Sequence, residues 1–177
     1  LGLTSLNINI FLMAIGKDKI GLDIDGVLAD FYLAMCIKFN KPMELVKDYN
    51  ISWIINQFHL IENDTNFWLN IPILQPPQSI NFNVEAYITS SPLSMLENRK
   101  KWLQTHGFPK APIIYSKDKP TTCKQLGISL FVDDCLANCQ SFIGSGIKCL
   151  KFLPHYMKDP KHYSEINSLL EVPQHLN

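Results

Sequence analysis

The sequence predicts an α/β fold, with a mostly parallel sheet covered by helices on both faces and a small, mainly helical insertion. Three observations predict it. Short apolar runs alternate with helical patterns along the chain. Four of those runs end in polar, chemistry-bearing residues. One long aromatic-rich stretch interrupts the alternation.

The chain has 177 residues, enough for one substantial core or a core with a small insertion. Apolar residues make up 46% and charged residues 18%, as in a folded globular domain. Residues 1–15 are apolar-rich but too short to cross a bilayer. No basic residue precedes them and no small-residue cleavage site follows, so they do not read as a signal peptide. Met13 opens MAIGKDKIGLDID, which reads like a natural start. Residues 1–12 are therefore expected to be an upstream extension.

The first strand-like run is Ile20-Gly21-Leu22, leading into Asp23-Ile24-Asp25-Gly26. Residues 31–83 follow, rich in aromatics and Asn: Phe39, Tyr49, Trp53, Phe58, Phe67 and Trp68, then IPILQPP. This stretch is expected to be a small helical cap over the crevice, with residues 13–30 and 84–177 forming the core. Ala86-Tyr87-Ile88 then runs into Thr89-Ser90-Ser91-Pro92. Ser91-Pro92 reads as an N-cap with proline at the first helical position. Leu96, Trp102 and Leu103 follow near helical spacing, and Gly107 is a plausible stop. Pro112 to Tyr115 leads into Ser116-Lys117-Asp118-Lys119, with a helix candidate over 119–126. Leu130-Phe131-Val132 leads into Asp133-Asp134, with another over 136–142. A fifth run, Ile147 to Leu153, lacks a polar ending. The architecture is a Rossmann-like three-layer core. In such sheets ligands bind beyond the carboxyl ends of the strands, so the four polar endings should meet in one crevice.

Each ending suits phosphoryl chemistry. Two carboxylates two residues apart, in a turn that Gly26 permits, attract a hard divalent cation. One of them can serve as a nucleophile and the other as an acid and base. An acidic turn or a calcium-type loop would read the same way in isolation. Thr89 and Ser90 offer hydroxyl and N–H donors at a strand-to-helix junction, or a plain cap. Lys117 and Lys119 can neutralise a phosphoryl group, or be solvated surface. Asp133 and Asp134 supply further acids for a metal, or open a helix. Arg99, Lys100 and Lys101 offer a further phosphate contact, with no motif to choose among them.

The order DIDGVLAD, ITSS, KDK and FVDD resembles the four motifs of the haloacid-dehalogenase superfamily of phosphatases. Within it, the chain is similar to the 5'(3')-deoxyribonucleotidase family. Val27-Leu28-Ala29-Asp30-Phe31 extends the first motif, and the second has threonine, serine and a nearby proline. Phe67-Trp68-Leu69 with Ile71-Pro72 matches that family's cap. The likeness runs from Lys19 to Leu153. It departs in reading Thr-Ser-Ser-Pro, in a long gap from Lys119 to Asp133, and in Cys135 where arginine is common.

The resemblance implies that Asp23 is the nucleophile and Asp25 the general acid and base. The Asp25 backbone carbonyl, Asp23 and one of Asp133 and Asp134, with Asp134 favoured, would hold Mg2+. Thr89, Ser90, Lys119 and Lys117 would bind the phosphoryl group, and Phe31 would stack on a base. The expected substrate is a small phosphomonoester, a nucleoside monophosphate first of all. A sugar phosphate, a nucleic-acid 3'-phosphate end and a non-catalytic nucleotide-binding relative are the alternatives.

Formal net charge is zero, which argues against long nucleic acid as a partner. No membrane association is expected, and a homodimer is left open. Cys36, Cys123, Cys135, Cys139 and Cys149 are odd in number and lack C-x-x-C spacing, as reduced thiols of a cytoplasmic protein would. His59, His106, His155, His162 and His175 have no spacing suited to metal or triad chemistry.

Overall fold

The computed structural model describes residues 18–47, 52–157 and 165–176. The expectation for residues 1–12, and Tyr49 of the aromatic stretch, lie outside them. Six strands form one sheet: β1 (Ile20–Leu22), β2 (Val84–Thr89), β3 (Ile113–Tyr115), β4 (Leu130–Asp133), β5 (Lys148–Phe152) and β6 (Glu165–Ile166). Their order is β3-β2-β1-β4-β5-β6. Every neighbouring pair is parallel, so the sheet is parallel throughout rather than mostly so. β6 was not anticipated. It has only two residues, too short to leave an apolar signature.

Alternate strand residues face opposite sides, and each side has its own core. Leu22, Tyr87, Leu130, Val132, Leu150 and Phe152 pack on one side. They meet α1 (Phe31–Lys38), α5 (Leu96–Thr105) and the 3₁₀ stretch Leu169–His175. Ala86, Ile88 and Phe131 face the other side, against α6 (Lys119–Leu126) and the end of α7 (Leu136–Ser141). Helices on both faces leave the strand interiors no water to meet, hence their continuous apolar runs.

The stretch between β1 and β2 holds α1, α2 (Glu44–Lys47), α3 (Ser52–Gln57) and α4 (Thr65–Leu69). Asp30 caps α1 by accepting from the Leu33 N–H, and Asp64 caps α4 through Phe67. The two ends of the insertion are fastened together where they join the core. The Asp30 N–H donates to the Pro72 carbonyl at 2.8 Å, and Trp102 Nε1 donates to the Ile71 carbonyl at 2.7 Å.

The expected cap of α5 is corrected. Ser91 does not cap a helix, and Pro92 is not its first residue. A 3₁₀ turn, Leu93–Met95, intervenes and α5 starts at Leu96 without a side-chain cap. The Ser91 hydroxyl has other partners in the crevice, described below. Gly107 does follow the end of α5, at φ 75°. α6 covers 119–126 as expected, capped by Asp118 and closed by left-handed Gly127.

Gly21 sits where β1 passes beneath the Phe131 ring. A Cβ there would lie 2.8 Å from Phe131 Cδ2 and 2.9 Å from Ile128 Cδ1. Gly21→Ala should therefore overpack this face and destabilise by about 1–3 kcal/mol. Urea denaturation checks it, with a lower midpoint at unchanged slope as the expected result.

Candidate active site

The strand order changes direction between β1 and β4, the point where an open parallel sheet leaves a crevice. Asp23 is the first residue past β1, and its N–H still pairs with Val132 O at 2.9 Å. The chain then curls back on itself. Gly26 N–H donates to Ala29 O, and Leu28 and Ala29 N–H donate to Ile24 O. Gly26 makes this curl with φ 87°, and a Cβ there would overlap the Asp134 carboxylate. The glycine thus serves both the turn and the close approach of Asp134, the residue after β4.

Lys119, the first residue of α6, reaches under the crevice. Its ammonium lies 2.5 Å from Asp23 Oδ2 and 2.6 Å from Asp133 Oδ2. All three side chains are buried. Asp133 is saturated: Asn138 Nδ2 and the Cys135 N–H also donate to it. Asp134 takes the Tyr32 hydroxyl on Oδ2 at 2.9 Å, and no described residue bonds its other oxygen. Carboxylate oxygens of Asp23, Asp133 and Asp134 lie within 4.8 Å of one another.

Three acids against one ammonium is an excess of negative charge in a buried place. Burial pushes the Asp23 carboxyl from 3.8 up to about 7. Lys119 pulls it down, while Asp133 and Asp25 push it up. Burial, then Asp133 and Asp23, holds Asp134 well above the usual carboxylate range. Burial alone would lower the Lys119 ammonium, but Asp23 and Asp133 outweigh it and raise it. This donor set of close, hard oxygens short of positive charge fits Mg2+.

Asp25 stands apart from that cluster. Its Oδ1 is 2.8 Å from Nη2 of Arg99, and its Oδ2 accepts from the Ser91 hydroxyl at 2.5 Å. Ser91 Oγ is in turn 2.6 Å from Thr89 Oγ1. Ser91 has one hydroxyl proton, and it goes to Asp25. Thr89 must therefore donate to Ser91. Ser90 is exposed, and its hydroxyl donates to Ser116 O at 3.0 Å.

These groups open into a cavity of about 190 Å³. Asp23, Asp25, Thr89, Ser90, Ser91 and Asp134 line its polar side, and Phe31, Phe58 and Trp68 its apolar side. Phe31 stacks on Trp68 at 5.9 Å between centroids. A larger cavity, about 610 Å³, lies between α5 and the edge strand β3. It has none of the crevice aspartates, so size does not identify the site.

Of the residues expected from sequence, the fold brings together Asp23, Asp25, Thr89, Ser90, Phe31, Asp134 and, beneath them, Lys119 and Asp133. Lys117 is exposed and does not line the cavity. Sequence reasoning missed Ser91, and it left Arg99 unresolved beside Lys100 and Lys101. A signal for Arg99 was available: a charged residue three before Trp102 and four before Leu103 falls on the buried face of a helix.

The chain matches no family model and no curated protein. By structure it is similar to an L-2-haloacid dehalogenase, with a TM-score of 0.58 and 12% identity over 92% of this chain and all of that one. It is also similar to a dehalogenase, with a TM-score of 0.54 and 15% identity over 92% and 98% of the two chains. The UTR4 protein of Saccharomyces cerevisiae gives a TM-score of 0.51 at 14% identity over 86% and 98%. The chain thus has the fold of the haloacid dehalogenases.

An acid that titrates near 7 when folded but near 3.8 when unfolded keeps a proton that the unfolded chain has already lost. Folding stability must then fall as pH rises through that window. Without divalent cation, the melting temperature should decline from about pH 4 to about pH 7. Asp134 acts in the same direction, so Asp23→Asn should flatten the decline in part. A decline of unchanged steepness would place the retained protons elsewhere.

Proposed function

We propose that the protein is a magnesium-dependent phosphomonoesterase, with Asp23 as nucleophile and Asp25 as general acid and base, acting on a nucleoside monophosphate. The observation that carries this reading is the pairing of Lys119 with both Asp23 and Asp133, beside an Asp25 held separately in the same cavity. One carboxylate sits in the acidic cluster on an ammonium, and the other is held outside it by a guanidinium and a hydroxyl. That division suits two different roles.

In the first half-reaction, Asp23 forms an O–P bond as the bond from phosphorus to the leaving oxygen breaks. Asp25 gives that oxygen its proton. In the second, Asp25 takes a proton from water, whose oxygen attacks phosphorus. Asp23 is released as carboxylate and inorganic phosphate departs. Lys119 holds Asp23 in place and offsets charge on the transferring group. Once the Thr89 hydroxyl turns from Ser91 and the Ser90 hydroxyl from Ser116, both would donate to phosphoryl oxygens. Asp23, Asp134 and the Asp25 carbonyl would hold Mg2+, since Asp133 already has its acceptors filled. When bound there, the cation supplies charge neutralisation for phosphoryl oxygens approaching a carboxylate.

The shared fold raises halide displacement by the same aspartate. A halide leaves as a stable anion and needs no proton. Asp25 would then serve only as the base that hydrolyses the ester, and the three-acid cluster would have no task, which favours phosphoryl transfer.

The aromatic side supports a base as the remote part of the substrate, because Phe31, Phe58 and Trp68 offer stacking faces. At about 190 Å³ the cavity is smaller than the ~300–1,000 Å³ usual for ligand sites. A whole nucleotide then requires the insertion to open, with its helices acting as a cap.

A panel of nucleoside monophosphates, sugar phosphates and 3'-phosphorylated oligonucleotides, assayed with Mg2+ and with chelator, tests this. Nucleotide turnover should lead the panel and vanish with chelator. Asp23→Asn should lower kcat by about 10³-fold or more while the fold is kept. Near-normal turnover in that variant would overturn the mechanism, and turnover of sugar phosphates alone would overturn the substrate.

A further inference from the structure

Arg99 lies mid-way along α5 with no surface exposed to solvent. A buried guanidinium is costly unless its partners are well placed. Three residues surround this one. Nη2 is ion-paired with Asp25 Oδ1 at 2.8 Å but off the angles of a hydrogen bond, and Nη1 donates to the Trp68 carbonyl at 2.8 Å. The Trp102 ring lies 4.8 Å from the guanidinium carbon and the Trp68 ring 5.6 Å. Trp68 belongs to α4 of the insertion, and its ring lines the cavity. One planar cation therefore touches both the core carboxylate that faces the substrate and the insertion helix that walls it.

A leucine or methionine would satisfy the packing of this helix face without the cost of burying charge. The arginine is explained by what its two ends hold. Ser91 donates to one oxygen of Asp25 and the Arg99 charge attracts the other, which together favour one orientation of the carboxylate. A guanidinium can bridge a carboxylate and a carbonyl at once, because its donors form a rigid fork; an ammonium offers no such fork.

We propose that Arg99 is a positioning residue for proton transfer, aiming Asp25 at the leaving oxygen and tying that aim to the Trp68 wall of the insertion. This rests on the reading of Asp25 as general acid. If Arg99 acts in this way, its loss should matter in proportion to how much the leaving group needs a proton. A merely structural arginine would slow every substrate alike.

A series of ring-substituted phenyl phosphates separates the two, since its members differ in leaving-group basicity and little in shape. The quantity to compare is kcat/KM, which covers the steps through leaving-group departure and omits hydrolysis of the phosphorylated enzyme. For Arg99→Lys and Arg99→Met, with Mg2+, the loss should be within about threefold for p-nitrophenyl phosphate and about 10- to 100-fold for unsubstituted phenyl phosphate. In an Asp25→Asn background, Arg99→Lys should add no further dependence on the leaving group. A uniform loss across the series, or none, overturns the proposal. So does an Arg99→Lys protein that circular dichroism finds unfolded, because the guanidinium would then be a requirement of the fold. A wild-type protein that hydrolyses no member of the series overturns the phosphatase reading itself.

Discussion

The contact of Lys119 with Asp23 and Asp133 is the constraint around which the crevice is arranged. It joins the starts and ends of three elements: the residue after β1, the last residue of β4 and the first residue of α6. Each charge is buried, and none would be tolerated alone. Asp118 caps α6 and so sets where Lys119 begins its reach, while Asn138 and the Cys135 N–H hold Asp133 from the far side. Even so, the acids outnumber the cation, and the Asp23 and Asp134 carboxyls retain protons well above their usual range. Stability at this point is incomplete without a further positive charge, as a site built to receive one should be.

The insertion is attached to this arrangement by backbone carbonyls rather than by apolar packing alone. Pro72, Ile71 and Trp68 present carbonyls to the Asp30 N–H, Trp102 Nε1 and Arg99. Tyr156 adds a hydrogen bond to Asp30 from the core at 2.6 Å. Tyr32, one residue into α1, donates to Asp134. The insertion's first helix therefore touches the acidic cluster directly, and its last helix touches Asp25 through Arg99.

Much of the core was legible because parallel strands buried on both faces leave dense apolar runs. β1 falls on Ile20–Leu22, and β4 exceeds its expected run by one residue, Asp133. α6 was legible because Asp118, Lys119-Pro120 and Gly127 punctuate it on both sides. β6 was not, since two residues carry no period. Ser91 was misread because serine before proline has a strong local meaning as a cap, and a tertiary contact with Asp25 prevailed over it. Lys117 and Lys119 look alike in sequence, yet only the one that begins the helix turns inward. The five cysteines are unbridged, and among the described residues no helix is long and apolar enough to cross a membrane.

The row Thr89, Ser91, Asp25 has a direction, set by counting protons. With Asp25 ionised, each hydroxyl must point its proton toward the carboxylate, and Thr89 has none left for anything else. With Asp25 protonated, the carboxyl can donate to Ser91, Ser91 to Thr89, and the whole row reverses. Thr89 is then free to point its proton into the cavity. Two hydroxyl rotations thus make readiness to receive an anion and readiness to give up a proton a single state of the molecule. An extra serine, which in the sequence looked like a departure from pattern, is what connects them.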